Sequence, residues 1–237
     1  MKQLLLVIFA AAIAAPARAG DATADFARPV STYSIVARDA ATGEMGVAVQ
    51  SHWFSVGPIV PWAEAGVGAV ATQSLVKVSY GPDGLRLMRE GAAATDALAQ
   101  LIRQDDAAAV RQVAMVDAKG NVATHTGEKC IAEAGFEHGT APDGSVYSAQ
   151  ANLMRTDQVP AAMADAFESA PPGTPLAERL IRALHAAESA GGDVRGRQSA
   201  AIVVVRAVAS GNSWEDRVVD LRVEDHPTPV DELDRLL

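Results

Sequence analysis

Alternating apolar and polar side chains predict a β-hairpin early in the chain. In the stretch MGVAVQ the larger apolar side chains occupy every second position, which places Met45, Val47 and Val49 on one face of a strand. A second strand is predicted over residues 33–37. The short connection between them contains Gly43, at a point where a turn often requires a positive φ. The pattern therefore predicts two antiparallel strands joined by a tight turn.

Two other stretches are apolar on both faces. Residues 66–71 read GVGAVA and residues 200–205 read AAIVVV. A strand without alternation is typical of one that is buried between two layers. The first stretch leads into Thr72-Gln73-Ser74, for which we predict a polar turn directly after a buried strand. Functional sites are often built on such turns.

The remaining periodicities complete an α+β pattern. Helices are predicted over 82–90, 95–104, 160–170, 175–190 and 229–237, and further strands over 113–116, 121–126, 147–154 and 217–223. Thr95 is the predicted cap of the second helix. Strands and helices come in separate runs, which favours α+β over alternating βαβ units. Two sheets between two helical layers would bury both apolar strands.

The first residues predict export rather than structure. Lys2 precedes an apolar run over residues 4–15, and Ala17-Arg18-Ala19 is an A-x-A cleavage signal. The apolar run is shorter than the roughly 20 residues that a membrane span needs. We therefore predict a signal peptide over 1–19, a flexible lead over 20–31 and one domain over 32–237. The expected location is periplasmic or secreted.

Composition narrows the classes of partner. The formal net charge of −9 argues against binding to nucleic acid or to an anionic membrane surface. The five histidines are widely spaced, and no nucleotide or phosphate fingerprint is present. We therefore predict neither a metal nor a cofactor. Closed dimers are common among folded proteins, so a homo-oligomer is a general expectation.

Polar residues at the ends of predicted strands are the candidates for chemistry. They are Ser51, Gln73, Gln150, Asn152, Asp193 and Arg195. Gln150 and Asn152 are two positions apart and share a strand face. An Asn amide at such a place either donates to an oxyanion or stabilises a turn. Asp193 and Arg195 either orient a substrate or form a structural ion pair.

Three long motifs carry a family resemblance. They are TYSIVARDAATGEMGVAV from Thr32, VPWAEAGVGAVATQ from Val60 and GGDVRGRQSA from Gly191. Together they resemble the bacterial family known as domain of unknown function 1028, from Thr32 to the C-terminus. That family in turn resembles the N-terminal-nucleophile (Ntn) hydrolases. The resemblance implies a four-layer αββα sandwich with two antiparallel sheets.

The resemblance also implies a role for Thr32, and we predict roles for the other candidate residues around it. Thr32 matches the nucleophile of the Ntn hydrolases, whose own α-amine acts as the base and titrates near a pKa of about 8. Asn152 and the backbone around Gln73 would stabilise the oxyanion, and Ser51 would lie beside Thr32. The predicted substrate-binding residues are Gln73, Gln150, Asp193 and Arg195. Arg195 would favour a carboxylate on a small-molecule or peptide substrate.

The sequence is consistent with two functions, and proteolytic processing of the chain distinguishes them. Signal cleavage before Gly20 leaves the nitrogen of Thr32 in a peptide bond, where it cannot act as a base. An exported Ntn amidohydrolase therefore needs a second cleavage before Thr32. The alternative is a non-catalytic ligand-binding or assembly protein on the same scaffold. Trp53, Phe54 and Trp62 then form an apolar contact or a pocket wall, or else pack in the core, which is the favoured interpretation.

Overall fold

A computed structural model describes residues 32–237 of the protein. The predicted signal peptide and flexible lead lie outside the described residues. The strands are β1 (Thr32–Arg38), β2 (Met45–Ser51), β3 (Pro61–Glu64), β4 (Gly68–Ser74), β5 (Arg111–Asp117), β6 (Val122–Thr126), β7 (Gly135–Thr140), β8 (Val146–Asn152), β9 (Ser199–Val205) and β10 (Arg217–Val223). The α-helices are α1 (Tyr80–Arg89), α2 (Ala94–Arg103), α3 (Val159–Glu168), α4 (Leu176–Ser189) and α5 (Pro229–Leu236).

The strands form two antiparallel sheets. One has six strands in the order β10-β9-β2-β1-β8-β7, and the other has four in the order β3-β4-β5-β6. The predicted hairpin forms the centre of the larger sheet, with Thr32 opposite Ser51 and Arg38 opposite Met45. Its turn contains Gly43 at a φ of 73°, as the sequence predicts.

Three apolar layers hold the sheets and helices together. Val36, Val47 and Ala71 belong to the layer between the two sheets. A second layer packs α3, α4 and α5 on the outer face of the six-stranded sheet, and a third packs α1 and α2 on the four-stranded sheet. The structure therefore confirms the four-layer αββα sandwich.

Alternation along β1 and β2 assigns their residues to opposite faces. Met45, Val47 and Val49 share one face, as predicted, and that face points between the sheets. Tyr33 and Ile35 point towards the helices instead. Because consecutive side chains alternate, Thr32 faces the neighbouring sheet. This geometry decides which polar residues of the central strands meet.

The structure corrects the sequence analysis at four places. Residues 72–74 are not a turn but the last residues of β4, paired with β5. Thr95 does not cap α2; the amide of Ala94 instead donates to the carboxylate of Asp117 on β5. β3 and β7 were not predicted. Both are edge strands, and their ladders depend on partner strands rather than on an apolar pattern of their own.

No helix among residues 32–237 is long and apolar enough to cross a membrane.

Candidate functional site

Polar side chains fill the space between the sheets next to the first residue of β1. We call this the inter-sheet polar cluster, and every member is completely buried. Its members are Thr32, Ser34, Ser51, Gln73, Gln112, Gln150 and Asn152. Five of them are residues that the sequence analysis nominated for the site. Ser34 and Gln112 were not.

Thr32 lies at the edge of this cluster, between two partner strands. It is opposite Ser51 on β2 and opposite Asn152 on β8. Its Oγ1 donates to Ser51 Oγ at 3.2 Å. Its carbonyl oxygen accepts from Gln73 Nε2 at 3.1 Å. The strand pairing and these contacts fix both the backbone and the hydroxyl of Thr32.

Gln112 determines how the amides of the cluster are oriented. Its Nε2 donates to the carbonyl oxygens of Ala151 at 2.9 Å and Gly135 at 3.2 Å. A carbonyl oxygen only accepts, so this side of the amide must be the NH₂ group. Oε1 of Gln112 therefore accepts from Gln73 Nε2 at 2.8 Å and Asn152 Nδ2 at 2.9 Å.

The same argument orients the amide of Gln150, and it identifies two acceptor atoms of the cluster that remain unpaired in the described chain. Ser34 Oγ donates to Gln73 Oε1 at 2.6 Å and accepts from Gln150 Nε2 at 3.3 Å. Within residues 32–237, Gln150 Oε1 and Asn152 Oδ1 are buried and have no hydrogen-bond partner. Buried polar atoms are nearly always paired, so such acceptors are typical of a functional site or of strain.

Asp193 and Arg195 lie in the loop between α4 and β9. Asp193 Oδ2 accepts from Arg195 Nη2 at 2.7 Å and from the backbone amide of His52 at 3.3 Å. The backbone of Asp193 also forms an isolated bridge with Met154, just beyond β8. The loop therefore joins the chain beyond the ends of β2 and β8, the two strands that flank Thr32.

The aromatic side chains near the first connection do not share one environment. Trp53 packs against the inter-sheet core. Trp62 packs on α1, where a Cβ built at Gly81 would lie 2.3 Å from its ring. Phe54 is 62% exposed. They do not form a common pocket wall.

Within the described part of the chain, no group of three or more His, Cys, Asp or Glu side chains is arranged to hold a metal ion.

A family model described as a family of unknown function, DUF1028, matches residues 32–233. The chain belongs to the DUF1028 family. The match begins at Thr32, the first residue of β1, and includes the whole inter-sheet polar cluster. The resemblance predicted from the sequence motifs is confirmed.

A solved structure supports the DUF1028 assignment. The crystal structure of protein SPO2555 from Silicibacter pomeroyi, described as DUF1028, is 31% identical with a TM-score of 0.72. The alignment covers 87% of this chain and 84% of that one. Anbu, the ancestral beta-subunit from Yersinia bercovieri, aligns over 86% of this chain and 91% of its own, at 11% identity and a TM-score of 0.42. A similarity this low does not assign a function or a superfamily to the chain. No curated protein matches the chain.

Gln112 is the important cluster residue of this DUF1028 protein that sequence reasoning missed. It stands at the second position of β5, followed by apolar residues that reach the inter-sheet core. The sequence signal that could have identified it is a single Gln on the inward face of an otherwise apolar strand. Its significance depends on β4 and β8 lying beside it, which the strand pattern alone does not specify.

Proposed function

We propose that the protein is an exported Ntn-type hydrolase that cleaves an amide bond of a small molecule or peptide, with Thr32 as nucleophile. One observation carries the proposal. Thr32 is the first residue of a central strand, and its hydroxyl points into a buried polar cluster beside Ser51. Membership of the DUF1028 family leaves the activity open.

The proposed chemistry depends on a free α-amine. A Thr hydroxyl is a weak nucleophile and needs an adjacent base. Hydrolysis of the peptide bond before Thr32 would create an amine with a pKa near 8 on the same residue. The amine would take the hydroxyl proton as Oγ1 attacks the substrate carbonyl carbon. It would then return that proton to the leaving nitrogen, which yields an acyl-enzyme for water to hydrolyse.

Asn152 is suited to two tasks in that reaction. Cross-strand partners have Cα atoms about 4.5–5.5 Å apart, so Asn152 is near any amine that forms on Thr32. Its unpaired Oδ1 is an acceptor for that amine. One Nδ2 hydrogen is donated to Gln112. An amide has two such hydrogens, and the second supports the proposed donation to the oxyanion.

The loop that contains Asp193 and Arg195 supports a substrate-binding role. Asp193 fixes the guanidinium of Arg195 beside the ends of β2 and β8. A guanidinium held in this way meets a carboxylate with fixed geometry. We therefore propose a substrate that bears a carboxylate near the scissile amide.

Processing is the decisive test. Thr32 is completely buried in the full-length chain, so the proposal requires a cleavage that provides both the amine and access for substrate. Intact mass and N-terminal sequencing of the exported protein are expected to show a chain that begins at Thr32. A chain that begins at Gly20 contradicts the proposal, because the nitrogen of Thr32 is then an amide.

A chemical probe tests the nucleophile itself. A β-lactone that acylates activated hydroxyls is expected to add its mass to the processed protein at Thr32. Thr32→Ser keeps the hydroxyl and is expected to react, whereas Thr32→Ala is expected not to. Thr95→Ala, at an exposed position on α2, is the matched control and is expected to react as the wild type does. Equal labelling of Thr32→Ala would overturn the assignment.

One observation favours the second candidate, a non-catalytic ligand-binding or assembly protein. The hydroxyl of Thr32 is completely buried and is engaged with Ser51. A threonine in an inert strand would look the same. The mass measurement separates the two candidates, since an inert scaffold has no need of a chain that begins at Thr32.

A further inference from the structure

The helix-facing side of β1 and β2 borders a second polar site. Here a cavity of about 120 Å³ lies between the six-stranded sheet, the end of α4 and the loop that follows it. Its side chains come from Tyr33, Gln50, Arg155, Glu188, Asp193 and Arg197. One water needs only about 10–15 Å³ of such volume, so the cavity has room for a small organic molecule.

Gln50 is the feature that points to a ligand. It is completely buried on β2 and lines this cavity. In the part of the chain that the structure describes, neither its Nε2 nor its Oε1 has a hydrogen-bond partner. Burying an amide with both ends unpaired has a free-energy cost, because both polar atoms lose their hydrogen bonds to water. A bound group that offers both an acceptor and a donor would remove that cost.

Among the charged side chains of the described residues around the cavity, one cation has no anionic partner. Glu188 accepts from the Tyr33 hydroxyl at 3.1 Å and pairs with Arg197 at 3.4 Å. Asp193 pairs with Arg195. Arg155 is exposed at the cavity, and no ion pair joins it to any residue in 32–237. Its backbone amide is held by the carbonyl of Gly192 at 3.0 Å. The unpaired guanidinium favours a ligand with a carboxylate group.

We propose that this cavity binds a small carboxylate that carries a hydrogen-bond donor beside it, the class that includes α-amino and α-hydroxy acids. The carboxylate accepts from Arg155 and from Gln50 Nε2. The neighbouring amino or hydroxyl group donates to Gln50 Oε1. This arrangement pairs both ends of the buried amide and neutralises the remaining guanidinium.

The site is separate from the inter-sheet polar cluster. Consecutive side chains of a strand point to opposite faces, so Tyr33 and Gln50 face the helices whereas Thr32 and Ser51 face the other sheet. The proposal does not rest on catalysis by Thr32. Binding is expected in the wild type and in Thr32→Ala alike, so failure of either proposal leaves the other standing.

Calorimetric titration of the full chain tests the proposal with glycine, L-serine and lactate as probes. Acetate lacks the adjacent donor and glycinamide lacks the carboxylate, so both are expected to bind more weakly or not at all. Gln50→Leu keeps the volume but removes both polar atoms, and Arg155→Gln removes the charge at an exposed position. Each is expected to weaken binding by about tenfold or more, because each removes a charge-assisted hydrogen bond to the carboxylate.

Arg182→Gln is the matched control, because Arg182 is an exposed arginine on α4 that does not line the cavity. It is expected to bind the probes as the wild type does. Absence of binding by every probe at about 10 mM, an affinity weaker than roughly −3 kcal/mol, overturns the proposal. Unchanged binding by Arg155→Gln overturns the proposal as well. Because Arg155 is exposed, this result can be interpreted even if Gln50→Leu does not fold.

Discussion

At the scale of single residues, Gln112 orients the buried amides around Thr32. Replacing it with Leu removes the acceptor that Gln73 and Asn152 share. It also removes one donor to each of the carbonyls of Ala151 and Gly135. Each buried group left unpaired costs about 1–3 kcal/mol, so Gln112→Leu is expected to lower the free energy of unfolding by about 2–4 kcal/mol. Urea unfolding of the wild type and of Gln112→Leu measures this difference in the free energy of unfolding.

The control for Gln112 is a Gln→Leu change at an exposed position. Gln104 follows α2 and is exposed, so Gln104→Leu is expected to stay within about 0.5 kcal/mol of the wild type. If both variants were equally stable, the cluster would contribute nothing to the fold. The orientation argument for Asn152 would then lose its basis.

The close packing of Gly81 against Trp62 leads to a testable prediction. A Cβ there would lie 2.3 Å from the indole of Trp62, which is shorter than any real contact. Ala is the better helix former by about 1 kcal/mol, yet overpacking costs about 1–3 kcal/mol or more. Gly81→Ala is therefore expected to lower the melting temperature. A Cβ at Gly84 on the same helix would meet the flexible end of Met115 at 2.8 Å and Val70 at an ordinary 3.4 Å, so the melting temperature of Gly84→Ala is expected to fall less.

At the scale of elements, one carboxylate joins a helix to a hairpin. Asp117 Oδ2 accepts from the amide of Ala94 at 3.0 Å, and Oδ1 accepts from the amides of Lys119 at 2.9 Å and Asn121 at 3.0 Å. It thus caps α2 and fixes the β5–β6 turn together. Asp117→Ala is expected to cost about 1–3 kcal/mol of stability by chemical unfolding, because a cap and buried hydrogen bonds are lost.

The same contacts give stability a pH dependence. Burial acts to raise the pKa of Asp117, but the hydrogen bonds from Asn121, Ala94 and Lys119 outweigh it and hold the pKa below its ordinary value of 3.8. The contribution is complete above that value and is lost as pH falls through the lower folded pKa. The stability difference between wild type and Asp117→Asn is expected to shrink as pH falls below about 4. Asp165→Asn, exposed on α3, is the control for general charge effects.

At the scale of the whole molecule, Arg179 connects the outer helices to two loops of the larger sheet. Its Nη1 lies 2.7 Å from Asp143 between β7 and β8, and 3.6 Å from Asp39 between β1 and β2. Its guanidinium stacks on Phe167 of α3 at 4.0 Å. Arg179 and Asp39 are buried, whereas the side chain of Asp143 is 49% exposed and stays solvated when its partner is removed. Arg179→Ala is therefore expected to cost about 1.5–3 kcal/mol, the contribution of hydrogen bonds to a charged group.

Guanidinium unfolding measures the effect of Arg179→Ala on the whole sandwich. Arg182→Ala, on the exposed face of the same helix, is expected to change stability by less than about 0.5 kcal/mol. A loss below about 1 kcal/mol for Arg179→Ala would show that the connection is no stronger than a surface ion pair.

The sequence determined the elements whose own residues define them. Met45, Val47 and Val49 alternate because strand side chains alternate, and Gly43 permits the positive φ of the turn. Apolar periodicity predicted the helices and every strand except β3 and β7, and with them the α+β class. The long motifs predicted the DUF1028 family, whose model matches residues 32–233. These are local properties, set by neighbours along the chain.

Only the tertiary structure decided the features that need a distant partner. β3 and β7 are strands because a neighbouring strand completes their hydrogen bonds, and Gln73 lies in a strand rather than a turn for the same reason. The cap of α2 comes from Asp117, and the orientation of Asn152 comes from Gln112. A buried amide or carboxylate takes whichever partners the fold brings within about 3 Å, and no local pattern records which they are.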